Sequence, residues 1–223
     1  MTNERPCQAI GESTASGLQK SMRFLLQVIA GLLLSEFVTK SVMIYHGSLA
    51  RANILVLAAA GAFLFRLFVD NLLFYEESDR NIDSGAEYVM RLFLLAVDLA
   101  SYVVCYDIVV RLSRLAEHPS HQYTYVLIQQ VMYAIALVEA FHFLWSVGAL
   151  VADRTWGDKQ STERFVRWMA CSGGTGVAMT VVASWFVPGV SPDSAAIWFA
   201  VISAGSLLAY LSLMQSQYRK VVR

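Results

Sequence analysis

Ionisable side chains inside long apolar segments are the residues of this chain whose chemistry is most informative. An unpaired charge at the centre of a bilayer costs several kcal/mol, so such a group has to be paired, hydrated or functional. The chemistry that these groups offer is proton transfer, attraction of cations, or ion pairing inside the membrane. The residues concerned are Glu36, Lys40, Arg66, Asp70, Arg91, Asp98, Glu139 and His142.

Glu139 and His142 lie three positions apart in one apolar segment and therefore share a helical face. No cationic residue lies at the depth of Glu139 on the segments before and after it. We expect Glu139 to line a cavity or pore, with His142 as its proton partner. The alternative is a core carboxyl that is hydrogen-bonded to His142 or paired with Arg66. The same face carries Gln129, Tyr133, Ala136 and Ser146.

Four charges on the second and third segments can pair if these segments form a hairpin about a centre near residue 81. Asp70 then lies opposite Arg91, and Arg66 lies opposite Asp98. We expect one neutral network that fixes the register of the two helices. The alternative is a hydrated path in which Asp98 or Asp70 exchanges protons or attracts cations.

Two further pairs have the spacing of neighbours on one helical face. Glu36 and Lys40 are one pair, and Asp107 and Arg111 are the other, which we expect to be solvated near the outer interface. The first pair adjoins a polar stripe that we expect to face the bundle interior, a partner subunit or water. This stripe consists of Gln27, Gly31, Ser35 and Thr39.

The elements that must position these groups are six apolar segments, each near the length of about 20 residues that crosses a bilayer as a helix. Hydrophobic residues make up 57% of the 223 residues and charged residues 15%, with a mean hydropathy of +0.50. The chain is therefore predicted to be an all-α polytopic membrane protein with six transmembrane helices, in antiparallel hairpins because the links are short. The segments are 22–45, 52–75, 87–112, 123–152, 165–187 and 194–215.

The domain organisation follows from these segments. We expect a polar N-terminal tail at 1–21, a transmembrane domain at 22–216 and a basic C-terminal tail at 217–223. Lys and Arg are concentrated in both tails and in alternate links, which predicts cytoplasmic termini and a multi-pass location in the cell membrane.

Small residues recur at four-residue intervals in the last two segments. Such ribbons let helix backbones approach closely. We expect the fifth helix to pack on the sixth, the alternative being a subunit interface. The ribbons are Ala170, Gly174 and Ala178, and Ala196, Ala200 and Ala204.

The sequence lacks the residues that several classes of function require. Lys plus Arg and Asp plus Glu number 17 each, so no basic surface favours a nucleic-acid partner. No phosphate-binding glycine loop or nucleophile motif suggests an enzyme. The Glu-x-x-His spacing of Glu139 occurs once, whereas a di-iron bundle needs it twice. We expect no cofactor and no metal, the alternative being a weak site formed by His46, His118 and His121.

The charged segments therefore favour a homo-oligomeric channel for ions or protons, surrounded by membrane lipid. Its path would include Glu139 and His142, with Asp98 and Glu36 as secondary candidates. One alternative is a non-conducting scaffold or sensor subunit that acts through a partner membrane protein. A small-solute permease is the other alternative.

Overall fold

The computed structural model describes the backbone of residues 6–47, 51–77, 85–117, 121–156, 162–185 and 191–221. Side chains are described for 21, 24–44, 51–69, 86, 88–114, 124–151, 165–185 and 191–213. This part of the chain forms six helices, so the all-α prediction is confirmed for it. They are α1 (Pro6–Gly47), α2 (Arg51–Glu77), α3 (Gly85–Glu117), α4 (His121–Trp156), α5 (Thr162–Trp185) and α6 (Pro192–Val221).

Five of the six described helices are long and apolar enough to cross a membrane. A helix suits lipid because it satisfies every backbone hydrogen bond within the segment. The prediction of six spanning helices is thus supported for five. The exception is α5, because its glycine and hydroxyl residues lower its mean hydropathy. The apolar stretches are Phe24–Ile44, Arg51–Val69, Tyr88–Arg114, Thr124–Val151 and Pro192–Leu213.

The first helix begins earlier than the sequence suggested. It starts at Pro6, inside the segment 1–21 that we expected to be a polar tail, and continues into the first apolar segment. The change from polar to apolar residues therefore indicates where the apolar segment begins, but it does not indicate where the helix begins.

The helices do not all pack against their neighbours in sequence. Within the described residues α4 has its most extensive contacts with α5 and α3, and it also touches α6 and α2. The main partner of α2 is α6, while α2 and α3 barely touch. Helix α1 contacts only α3 and α2 in this part of the chain. These contacts bring α2, α4, α5 and α6 together.

The distribution of apolar side chains suits a membrane. The interior holds a continuous apolar core that includes Ile108, Ile128, Met132, Ile135 and Phe199. Large apolar side chains also cover the outside, as the exposed Phe24, Val103 and Leu208 illustrate. Monomeric soluble proteins rarely expose contiguous apolar surface on this scale. The apolar helices and their apolar surface therefore support a membrane-embedded protein.

Within the described residues α5 packs more extensively on α4 than on α6. A Cβ atom added at Gly176 would lie 3.3 Å from the Cβ of Glu139 and 3.5 Å from the carbonyl oxygen of Ala136. Of the small-residue ribbon that we expected to face α6, Ala170 and Gly174 are exposed, and nothing lies within 4 Å of a Cβ built at Gly174. The close packing of α5 is thus at Gly176, which adjoins this ribbon, and it is directed at α4, so the prediction that the ribbon packs on α6 is not supported at Ala170 and Gly174.

Candidate functional site

Arg66 of α2 and Glu139 of α4 form an ion pair in the interior of the bundle, here called the core ion pair. Nη1 of Arg66 donates to Oε1 of Glu139, and Nη2 donates to Oε2 at 3.2 Å. The two side chains are 4% and 0% exposed. The planar guanidinium matches both carboxylate oxygens, which is the strong bidentate geometry. Glu139 is therefore a paired carboxyl, the alternative that the sequence had left open.

Hydroxyl groups from α5 and α6 complete the surroundings of the guanidinium. Nη1 of Arg66 also donates to Oγ of Ser206, and Nη2 donates to Oγ of Ser172 at 3.4 Å. Oγ1 of Thr175 lies 3.1 Å from Oγ of Ser206 and 2.8 Å from the carbonyl oxygen of Cys171. We call Ser172, Thr175 and Ser206 the hydroxyl cluster. It supplies the acceptors that a buried guanidinium needs beyond its carboxylate partner.

An aromatic side chain covers one side of Arg66. The Cζ atom of Arg66 lies 5.7 Å from the centroid of the Tyr210 ring, within the range of a cation–π contact. Tyr210 is buried and packs with Trp168, their ring centroids 6.4 Å apart. Val69 and Leu213 pack against these two rings. The guanidinium thus packs against a small aromatic cluster.

His142 lies three residues after Glu139 on the same face of α4, and its side chain can also bind a proton. Its Nδ1 atom lies 3.9 Å from Oε2 of Glu139, beyond hydrogen-bond distance. This Nδ1 is buried and has no hydrogen-bond partner among the described residues. The His142 side chain is 12% exposed, more than the other two ionisable side chains of the site. His142 is therefore the most exposed of the three ionisable side chains at the site, although its Nδ1 atom is buried.

The electrostatics of the core ion pair limit what it can do. Removing two charges from water costs several kcal/mol each, and their attraction offsets this cost only with good geometry and further hydrogen bonds. The bidentate contact and the hydroxyl cluster meet both conditions. The pair is formally neutral and leaves no net negative charge to attract a cation. It can hold four helices together, or it can exchange a proton at the carboxylate.

The structure describes only some of the side chains of the network that we predicted between the second and third helices. Asp98 is buried on α3 and Arg91 is partly buried there, while the side chain of Asp70 lies outside the described residues. The contacts described above for Arg66 lie on α4, α5 and α6. Pairing of Asp98 with Arg66, and of Asp70 with Arg91, stays a prediction, and the slight contact between α2 and α3 gives it little support.

Glu36 and Lys40 on α1 form an ion pair at 3.5 Å, as their spacing predicts. Because α1 contacts only α2 and α3 within the described chain, Glu36 is not brought to Glu139. The polar stripe of α1 is exposed along its length, which excludes the bundle interior as its environment. This stripe is Gln27, Gly31, Ser35 and Thr39.

Asp107 and Arg111 also pair, at 2.5 Å, with side chains that are 45% and 32% exposed. Nη1 of Arg111 donates in addition to Oε1 of Gln130 at 2.8 Å, which joins α3 to α4. Nε2 of Gln129 donates to the carbonyl oxygen of Ala183 at 2.8 Å, which joins α4 to α5. Gln129 thus serves helix packing on the polar face of α4.

The described residues contain no group of three His, Cys, Asp or Glu side chains that could hold a metal ion. The side chains of His46, His118 and His121, which the sequence offered as a weak metal site, lie outside the described residues.

Sequence reasoning did not select the hydroxyl cluster or Tyr210. Serine and threonine in an apolar helix commonly bond to their own backbone, as Thr175 does with Cys171, so their presence alone signals no site. The local signal is that Ser172 and Thr175 adjoin Gly173 and Gly176, the glycines of α5 at which an added Cβ would contact α4.

The geometry of the core ion pair and its surroundings is the basis for assigning a function. Comparisons of the chain with protein-family models, with curated proteins and with solved structures give no match.

Proposed function

We propose that this chain is a multi-pass protein of the cell membrane that works as a homo-oligomeric channel for ions or protons, with Glu139 as its pathway carboxylate. The observation that carries the proposal is the position of Glu139, fully buried beside Arg66 and 3.9 Å from His142. Ionisable groups at such depth are costly and commonly mark ion pathways or proton relays.

The groups around Glu139 support this role. His142 offers a buried ring nitrogen without a hydrogen-bond partner, and it is the more exposed neighbour of the carboxylate. The hydroxyl cluster contacts the same guanidinium nitrogens that bond to Glu139, and it adds groups that both donate and accept hydrogen bonds. Together they form a polar region that passes between α4, α5 and α6. Asp98, buried on α3, is a secondary member of the path.

The proposed topology has both termini in the cytoplasm and neighbouring helices antiparallel. The excess of Lys and Arg in the tails and alternate links supports this orientation. We include α5 among the spanning helices although it is less apolar than the others. Its hydroxyl residues Ser172 and Thr175 are buried, and the exposed Thr180 and Ser184 donate hydrogen bonds to carbonyl oxygens of their own helix.

The homo-oligomer is supported by the polar stripe of α1. Gln27 and Ser35 are exposed on a helix whose other exposed side chains are mostly apolar. Nothing lies within 4 Å of a Cβ built at Gly31, which lies between them. Polar side chains bond across helices in lipid, and a small residue between them permits close approach. The adjoining pair of Glu36 and Lys40 can bond to its own counterpart on a second copy.

The test is ion flux in liposomes that contain the purified protein. Glu139→Gln keeps the side-chain volume but removes the charge, and it is expected to abolish or strongly reduce the flux. Asp107→Asn is the matched control, since it takes a carboxylate from an arginine in a partly exposed pair and should leave flux unchanged. Both variants are compared at the same oligomer size. Equal flux from wild type and Glu139→Gln would contradict the proposal.

A second candidate is a non-conducting scaffold or sensor subunit that acts through a partner membrane protein. The complete pairing of Glu139 with Arg66 favours it, because a bidentate buried pair suffices to fix the arrangement of helices. This candidate predicts no flux from the wild-type protein and purification together with a second protein. The same liposome experiment therefore separates the two.

A further inference from the structure

Both carboxylate oxygens of Glu139 are engaged by the guanidinium of Arg66. From this we propose that the conducted species is the proton, and that Arg66 is the residue that excludes metal cations. The inference rests on the proposed channel function and specifies its substrate. It follows from the contacts of three side chains, Arg66, Glu139 and His142.

A metal cation cannot use Glu139 as a binding site in this arrangement. Sodium and potassium ions need several oxygen ligands, and a carboxylate attracts them through its net charge. Here that charge is cancelled by a guanidinium that cannot lose its proton. A cation at the carboxylate would also lie a few ångströms from this positive charge, and repulsion is strong where water is scarce.

A proton can reach the same carboxylate without a wide opening. Glu139 is 0% exposed, so a hydrated cation has no room beside it, whereas a proton can pass along hydrogen-bonding groups. The nearest such group described on the exposed side is His142, whose Nδ1 faces Oε2 of Glu139. A shift of about 1 Å would bring these two atoms to hydrogen-bond distance.

The transfer consists of two balanced steps. A chain of transient water molecules delivers a proton to Oε2 of Glu139. An O–H bond forms there, an O–H bond of the last water breaks, and the hydrogen bond from Nη2 of Arg66 is lost. Arg66 keeps its contacts with Ser206 and Ser172, so the guanidinium remains held while the carboxyl is neutral. The new O–H bond then breaks as Nδ1 of a neutral His142 takes the proton, and the carboxylate pairs with Arg66 again. The imidazolium of His142 then loses its Nε2 proton to water. The neutral ring returns its remaining proton from Nδ1 to Nε2 by exchange with water before the next transfer, and the reverse sequence carries protons in the other direction.

The experiment compares proton and sodium flux in the same liposomes. A potassium diffusion potential drives protons, which are followed with a trapped pH-sensitive dye, and radioactive sodium uptake is measured in parallel. Wild type should pass protons without sodium uptake above that of empty liposomes. Arg66→Gln removes the positive charge and vacates the volume of the guanidinium beside Glu139. At an alkaline pH that keeps Glu139 ionised, it should therefore raise sodium uptake about tenfold or more. Arg66→Lys keeps the charge and should still exclude sodium.

The outcomes separate the inference from the proposed function. Comparable proton and sodium flux in wild type would overturn the inference while the channel function stands. Absence of both fluxes in wild type would overturn the two together. A folded Arg66→Gln protein that still excludes sodium would show that Arg66 is not the excluding residue. The wild-type comparison needs no variant, so the inference remains testable if Arg66→Gln fails to fold.

Discussion

Removing one partner of the core ion pair should destabilise the protein far more than removing both. The two side chains are 4% and 0% exposed, so water cannot solvate a charge that loses its partner. We expect Glu139→Leu to cost about 3–5 kcal/mol, because Arg66 then stays charged and buried. Arg66→Met should cost less, about 1–3 kcal/mol, since a carboxyl group can become neutral by binding a proton and a guanidinium cannot.

The double variant Arg66→Met/Glu139→Leu should return to within about 1 kcal/mol of wild type, because apolar side chains of similar volume replace both charges. Ser172 and Ser206 then lose their donor but can bond to carbonyl groups of their own helices. The coupling energy between positions 66 and 139 should therefore exceed about 2 kcal/mol. Asp107→Asn is the control and should cost about 1 kcal/mol or less, as exposed ion pairs do.

The measurement is unfolding by sodium dodecyl sulfate in mixed micelles, followed by the fluorescence of the five tryptophans. Equal small losses for both single variants and the control would contradict the burial on which the reasoning depends. If the double variant lost as much unfolding free energy as the two single variants together, direct pairing of the two residues would be contradicted.

Three further predictions concern the packing around the site and use the same unfolding measurement. Gly176→Ala should cost about 1–3 kcal/mol because its Cβ would press on that of Glu139 at 3.3 Å; Gly174→Ala, with open space, should be neutral or slightly stabilising, and equal losses would contradict this. Tyr210→Leu should cost about 1–2 kcal/mol through the lost cation–π contact, whereas Tyr210→Phe should retain most of the stability, so a similar loss in both would contradict the ring's role. Gln129→Leu should cost about 0.6–1 kcal/mol by removing the hydrogen bond to α5, and an unchanged protein would contradict a direct bond.

The parts of the fold that the sequence predicts are those that depend on local spacing. Apolar segments of bilayer length identify the helices, because an unpaired backbone group is too costly in lipid for any open structure. The pairing of Glu36 with Lys40, and of Asp107 with Arg111, follows from one helical turn of separation. Such contacts need no knowledge of how the helices pack.

The core ion pair could not be selected from spacing because its two residues are 73 positions apart on helices that are not sequence neighbours. The hairpin assumption directs Arg66 toward α3, but α2 packs mainly on α6 and barely touches α3. Which helices meet depends on side-chain shape along their whole length. The sequence could therefore offer Arg66 only as one alternative partner of Glu139.

The composition of α5 connects the fold with the site. Glycine, serine and threonine keep this helix below the apolarity of the other five. Gly176 leaves room for α4 at Glu139, and Ser172 accepts a hydrogen bond from Arg66. A more apolar α5 would suit lipid better, but its larger side chains would displace α4 and leave the guanidinium with fewer acceptors. The small Gly176 and the polar Ser172 of α5 are therefore explained by their position beside two buried charges.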